Sequence, residues 1–212
     1  MSRHALQVDL SAGPVVFLEA TPEELLQAAR LAAEPSLASA ELALATAGLG
    51  LTVRSVFGVT VGPMELAGEP LESRMSMRAY KGLVAAWVRE QLGSTEERDR
   101  VSDSLRETAQ GWKVRIAERE FLVAELPMKG VLAVNRAADR EKTPAGRILA
   151  VGTEGIRASL RAIDGQPITA AELQGPNLGD RISGKEAWLL SLMWPRMQGD
   201  EEVGEAKAVA GL

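Results

Sequence analysis

Residues 179–186, Gly-Asp-Arg-Ile-Ser-Gly-Lys-Glu, come closer to a known catalytic motif than any other segment of this chain. Their glycine and lysine spacing matches a phosphate-binding loop, in which backbone amides and the lysine hold the phosphates. That loop ends in Ser or Thr, whose hydroxyl binds magnesium, whereas Glu186 would place a carboxylate where the phosphate lies. The segment therefore predicts an ordinary helix start at Ser183, and no nucleotide cofactor.

Other residue types that commonly perform chemistry are scarce. The 212 residues include no cysteine and a single histidine, His4, which excludes thiolate metal sites, cysteine nucleophiles and nearly all histidine chemistry. The acidic pairs Glu23-Glu24 and Glu96-Glu97 stand in the first turns of predicted helices, where capping explains them better than catalysis does. We therefore expect no catalytic, cofactor-binding or metal-binding residue, and we interpret the protein as not an enzyme.

Charge and hydropathy oppose two further classes of function. The net charge is −5 with a pI near 5.2, whereas nucleic-acid binding needs a clustered positive surface. Aromatic residues make up 4% of the chain, too few for a set of base-stacking platforms. No apolar run reaches the roughly 18 residues that a membrane span needs. We expect no nucleic acid and no membrane as partner, and a cytoplasmic protein.

The chain contains a near-copy of itself. Residues 53–91 align without a gap with residues 160–198, which lie 107 positions later, and 12 of the 39 aligned positions are identical. Upstream the match continues at slightly shorter offsets: 106 for Leu26 with Leu132 and Arg30 with Arg136, and 104 for Phe17-Leu18 with Phe121-Leu122. A repeat of this length predicts two tandem copies of one folding unit.

Helix signals in the first copy come in pairs. Thr21 opens a helix that Pro35 ends, and Ser36 opens a second helix that Gly48 ends. A third helix, with a broad apolar stripe, begins after Ser76. Strands are predicted over residues 15–18, 51–56, 120–123 and 158–163.

The second copy has helix starts and ends in the same order. Its helix pair opens at Pro127 and Thr143 and closes near Gly152, and its last helix begins after Ser183. Pro195 predicts a kink or a stop of that helix near Trp194.

These signals together predict an α+β, helix-rich fold of two tandem units, each of about 100 residues and of the order helix–helix–strand–helix, arranged with pseudo-symmetry. The predicted divisions are a first lobe over residues 1–93, a charged helical connector over 94–113, a second lobe over 114–199 and a flexible tail over 200–212.

Four residues at corresponding positions of the two copies are candidates for partner binding. Trp87 and Trp194 fall on corresponding helix faces, where they either pack in the core or anchor an exposed interface. Arg54 and Arg161 lie on the strand face opposite the apolar residues, where they either bind an acidic partner or form a solvated face.

The second copy contains Ile163-Asp-Gly-Gln-Pro-Ile168, followed by Glu172-Leu173 and the tryptophan-containing helix. This segment resembles small tail assembly chaperones and baseplate-hub morphogenesis proteins of phages, in which a strand commonly ends in Asp-Gly-x-Pro between helical regions. The first copy departs from the pattern, with Phe57-Gly58 at the turn. The resemblance implies a non-catalytic protein of a phage or phage-like contractile particle, without catalytic residues to carry over.

We therefore expect an assembly or structural protein that binds other tail or baseplate proteins, with homo-oligomerisation left open. Its location would be cytoplasmic during assembly, and retention in the finished particle is left open. The alternative is a cellular protein-binding or regulatory module that uses a groove between two pseudo-symmetric lobes. An enzyme is the third hypothesis, which the shortage of histidine and cysteine disfavours.

Overall fold

The structure, a computed structural model, describes residues 3–11, 13–32, 37–62, 71, 74–174 and 177–199. These residues form two successive units with the same order of elements. The elements of the first unit are β1 (Ala5–Leu10), β2 (Gly13–Leu18), α1 (Pro22–Leu31), α2 (Leu37–Thr52), β3 (Val53–Val56), β4 (Val59–Thr60) and α3 (Met77–Leu92).

The second unit repeats this order with additions before its first hairpin; the segment before its last helix aligns with residues of the first unit that lie mostly outside the described ones. Its elements are α4 (Thr95–Asp103), β5 (Arg106–Thr108), β6 (Gly111–Ile116), β7 (Arg119–Val123), α5 (Met128–Ala138), α6 (Pro144–Ser159), β8 (Leu160–Ile163), β9 (Gln166–Pro167), α7 (Ala170–Leu173), α8 (Leu178–Arg181) and α9 (Gly184–Met197).

Each unit builds one antiparallel sheet whose strands pair in chain order, β1-β2-β3-β4 in the first and β5-β6-β7-β8-β9 in the second. The last hairpin of each sheet turns through two residues of positive φ, Phe57-Gly58 and Asp164-Gly165. A two-residue hairpin turn of this kind favours glycine, which tolerates positive φ without strain. The prediction that each strand run ends at one of these glycines is confirmed.

Strand pairing fixes how the two units correspond. Val15 pairs with Val56 in the first sheet, and Phe121 pairs with Ile163 in the second. Phe121 therefore corresponds to Val15, at an offset of 106, and the predicted match of Phe121 with Phe17 is wrong. The two positions lie two residues apart on one buried strand face, so an apolar residue fits either.

Several predicted helix starts are confirmed by the capping contacts. Thr21 with Glu24, Ser94 with Glu97, and Ser183 with Glu186 form complete capping boxes. Ser76 and Thr143 accept a backbone N–H at the starts of α3 and α6. Pro35, Ser36 and the tail over residues 200–212 lie outside the described residues.

Two glycines expected to end helices lie inside them instead. α2 continues through Gly48, and α6 continues through Gly152. A β-carbon on Gly48 would overlap the ring of Trp87, and one on Gly152 would overlap Ser191. These glycines therefore allow two helices to approach closely, a role that sequence cannot distinguish from a helix end.

The connector between the units also differs from the prediction. Its helix ends at Asp103, well before the end of the predicted helical connector over 94–113, and residues 106–108 form a strand in which Arg106 pairs with Lys113. The predicted unit also lacked β1 and β6. Pairing with a neighbouring strand satisfies the backbone of such short segments and overrides their weak local signal.

The last helix passes its proline. α9 continues through Pro195 to Met197, so a stop near Trp194 is wrong, while a kink there stays a prediction. Trp194 and Met197 are both buried, which holds the final turn in place although one backbone donor is missing.

The α+β, helix-rich fold class is confirmed, and the origin of the two units by duplication stays a prediction. The units pack unequally. α1 and α5 each pack on the next helix of their own unit, α2 and α6, but α1 also lies against α6 and α9 of the second unit. In such head-to-tail packing, one surface of each kind is not covered by the other unit among the described residues.

Candidate protein-binding surface

The two candidate tryptophans lie in equivalent buried environments. Trp87 donates a 3.1 Å hydrogen bond from Nε1 to Oγ1 of Thr52, and Trp194 donates one of the same length to Oγ of Ser159. Each hydroxyl in turn donates to a glycine carbonyl one helical turn earlier. The indole rings are 0% and 2% exposed. Both tryptophans therefore pack in the core, and neither is exposed on the surface of this structure.

The two candidate arginines bind the ends of helices. Arg54 donates from Nη1 to two carbonyl groups at the junction of α2 and β3, at 2.8 and 2.9 Å. Arg161 makes the same pair of contacts at the junction of α6 and β8, at 2.8 and 3.1 Å. These contacts satisfy carbonyls that a helix end leaves free. Binding of an acidic partner by either arginine stays a prediction.

The segment with the phosphate-loop spacing uses its donors within the protein. The backbone N–H of Ser183 donates to Glu186 at 2.8 Å, and that of Gly184 donates to the carbonyl of Ala20 at 2.8 Å. Lys185 donates from Nζ to a carboxylate of α4 at 2.7 Å. Ser183 caps the start of α9, which confirms the predicted helix start.

A cavity of about 660 Å³ lies where this segment meets the first unit. Arg119 holds Glu186 there through 2.8 Å contacts, and Arg3 holds Glu24 at 2.6 Å. Burial raises the pKa of the Glu186 carboxyl above its ordinary range, although the N–H of Ser183 and the guanidinium of Arg119 favour its charged form. The cavity presents charged groups of both signs, and the pairs Arg119–Glu186 and Lys185–Glu97 neutralise part of them.

The exposed side of α5 is the second candidate site. Met128 and Leu132 are 73% and 47% exposed, and they share one helix face with the exposed side chains of Lys129 and Arg136. We call the face formed by these four residues the α5 surface. Large apolar side chains in such a position usually mark an interaction site when they adjoin one another.

The counterpart of this surface in the first unit is covered. Pro22 and Leu26 of α1, which correspond to Met128 and Leu132, are buried and half-buried. Glu23 of α1 pairs with Arg157 of α6 at 3.1 Å, and Arg30 pairs with Glu141, just before α6, at 2.6 Å. In one unit, therefore, this helix face is an interface, whereas in the other it faces solvent.

Sequence reasoning missed the α5 surface. The available signal was the alignment of Leu26 with Leu132 and of Arg30 with Arg136, which marks equivalent faces. It does not reveal which of the two faces is covered, because the covering helices lie more than 100 residues away from α1 in the chain.

Among the described residues, no group of three or more His, Cys, Asp or Glu side chains is arranged to hold a metal ion. Within the same part of the chain, no helix has the length and apolar character needed to cross a membrane. Comparison with known proteins found no matching family model, curated protein or solved structure.

Proposed function

We propose that this protein is a non-enzymatic assembly or structural component that binds another protein through the α5 surface. The proposal depends on a difference between two equivalent helix faces. The face on α1 is covered by α6 and α9, whereas the equivalent face on α5 is exposed. Apolar residues at such a face resemble the buried centre of a protein interface more than a solvated helix face.

The more specific proposal is a phage tail or phage-like contractile particle, with other tail or baseplate proteins as partners. It rests on the Asp-Gly-Gln-Pro segment at residues 164–167, whose Asp-Gly forms the turn between β8 and β9, after α6 and before the later helices. The expectations of cytoplasmic assembly and of a role in the particle belong to this proposal.

The test is co-purification of the full-length protein with the proteins encoded beside its gene. We expect Leu132→Asp to abolish co-purification because a buried, unpaired carboxylate is costly at an interface. Val59→Asp is the matched control, since Val59 is also exposed, at 65%, but lies on β4. The proposal is wrong if neighbouring proteins do not co-purify, or if both variants lose binding equally.

Deletion of the gene tests the particle itself. We expect incomplete tails or sheaths by electron microscopy, and normal particles would overturn the phage-specific proposal while leaving protein binding in place.

The cavity between the units favours a second candidate, a binding module that uses this groove. It is lined by both units and includes His4, Arg115 and Glu118, whose side chains contact no other described residue by hydrogen bond or ion pair. If Arg115→Glu abolishes co-purification of the partner while Leu132→Asp still co-purifies it, the partner binds in the cavity rather than at the α5 surface.

A further inference from the structure

The packing of the two units provides a template for what the α5 surface binds. In that packing, the N–H of Gly184 at the start of α9 donates to the carbonyl of Ala20, just before α1. A β-carbon on Gly184 would stand 3.0 Å from a methyl group of Leu25, so the helices touch closely there. A ligand of the equivalent α5 surface should therefore present two packed helices with a small residue at the crossing.

Charges on the two helix faces differ in an informative way. On α1 the face carries one acid and one base, Glu23 and Arg30, which pair with Arg157 and Glu141. The corresponding positions on α5 are Lys129 and Arg136. Neither side chain forms an ion pair with a described residue, and both are exposed. A surface that matches α5 must therefore supply acidic groups at both positions.

A second copy of this chain fits the α5 surface poorly. In the first unit, the position equivalent to Gly184 is Met77, whose side chain would prevent the close approach. Trp188 lies one helical turn after Gly184 on the same side of α9, and its position in the first unit is occupied by Lys81, which would face the cationic α5 surface. The position of Arg157 is Gly50, which supplies no acid.

Among the positions of the first unit that align with Gly184, Trp188, Arg157 and Glu141, only the last holds an acid. That residue is Glu34, which lies outside the described residues. Steric and electrostatic obstacles of this kind are how proteins discriminate against wrong partners.

We infer that the α5 surface binds a pair of packed helices from a different protein, with acidic side chains opposite Lys129 and Arg136. This inference rests on the proposed function, since it names the chemistry of the partner for the same surface.

The first experiment builds the missing surface on a second copy of the full chain. The variant Gly50→Glu with Met77→Gly and Lys81→Trp offers α5 an acid, a small residue and an apolar ring. We expect this variant to self-associate in sedimentation velocity, while the wild type does not associate through α5. The control, with Gly50→Arg in place of Gly50→Glu, should associate at least about tenfold more weakly.

Charge reversal completes the test. Adding Lys129→Glu, the position opposite residue 50, should weaken association of the Gly50→Glu variant and restore that of the Gly50→Arg variant. Equal association of both variants, or wild-type association that Leu132→Asp abolishes, would overturn the inference.

A second measurement does not depend on the engineered surface folding. In the co-purification described above, Lys129→Glu with Arg136→Glu should reduce recovery of the partner at least about tenfold. Arg78→Glu with Lys81→Glu, on the exposed side of α3, should leave recovery unchanged. If the partner still co-purifies after charge reversal on α5, the inference that it presents acidic side chains there is wrong, and the proposed function stays intact. Absence of any co-purifying partner overturns the proposed function and, with it, the inference that rests on it.

Discussion

Gly48 lies so close to Trp87 that a β-carbon on the glycine would overlap the indole ring. The second unit repeats the relationship, with the β-carbon position of Gly155 2.5 Å from the ring of Trp194. In both units, the helix before the second hairpin and the long helix after it are thus joined at a glycine–tryptophan contact beneath a hydrogen-bonded hydroxyl. The contact brings α2 close to α3 in the first unit and α6 close to α9 in the second.

The first prediction concerns these glycines. Gly48→Ala and Gly155→Ala should each lower the free energy of unfolding by about 1 to 3 kcal/mol, because the extra methyl forces the buried tryptophan out of place. Gly50→Ala is the control in α2, since its β-carbon would meet nothing within 4 Å. It should stabilise the protein by up to about 1 kcal/mol through helix propensity. Urea denaturation measures all three, and a neutral Gly48→Ala would contradict the packing described.

The second prediction concerns the hydroxyls that accept from the indoles. Thr52→Val and Ser159→Ala should each cost about 1 to 3 kcal/mol, because a buried indole N–H loses its acceptor. In the background of Thr52→Val, Trp87→Phe should cost less than it does in the wild type. A double-mutant cycle in urea measures this coupling, and strictly additive effects would argue against the bond. Thr60→Val, at an exposed strand position, should stay within about 0.5 kcal/mol.

The third prediction compares two capping-box glutamates whose pKa values shift in opposite directions. Burial raises the pKa of Glu186, whereas the N–H and hydroxyl of Thr169 lower the pKa of the less buried Glu172. A carbon-detected NMR titration should find Glu186 above, and Glu172 below, the ordinary range of glutamate. Overlapping titrations would contradict the difference in burial.

These shifts also set the sign of the pH dependence of stability. For Glu186 the folded pKa exceeds the unfolded one, so its contribution is fully present below the unfolded pKa and is lost as the pH rises through the folded pKa. The stability of the wild type relative to Glu186→Gln should therefore decline over that interval. Relative to Glu172→Gln, any change should run the other way, with stability lost as the pH falls through the lowered pKa.

The fourth prediction uses two arginines at corresponding helix positions. Arg30 pairs with Glu141, whose side chain is 10% exposed, whereas Arg136 faces solvent on α5. Arg30→Ala should cost about 1 to 2 kcal/mol, since it leaves a largely buried carboxylate unpaired, and the value is reduced by the 58% exposure of Arg30. Arg136→Ala should change stability by less than about 0.5 kcal/mol. Thermal and urea unfolding measure the free energy of unfolding of both variants. Equal losses for Arg30→Ala and Arg136→Ala would contradict the prediction.

Local sequence signals determined the parts of the fold that depend on residues a few positions apart. The capping boxes at Thr21, Ser94 and Ser183 name the helix starts because each side chain bonds an amide three residues later. The hairpin ends at Gly58 and Gly165 follow from the positive φ of a two-residue turn. The internal similarity correctly placed Trp87 and Trp194 in equivalent environments, because it aligns whole elements.

Tertiary structure alone decided what depends on distant partners. Gly48 carries the local signature of a helix end, and only the ring of Trp87 explains why the helix continues through it. The strand over residues 106–108 exists because β6 pairs with it. The exposure of α5 follows from the head-to-tail packing of the units, in which long-range contacts cover the face of Arg30 and leave that of Arg136 open. Two nearly identical local signals thus acquired different roles, because burial depends on the neighbours that the whole chain brings together.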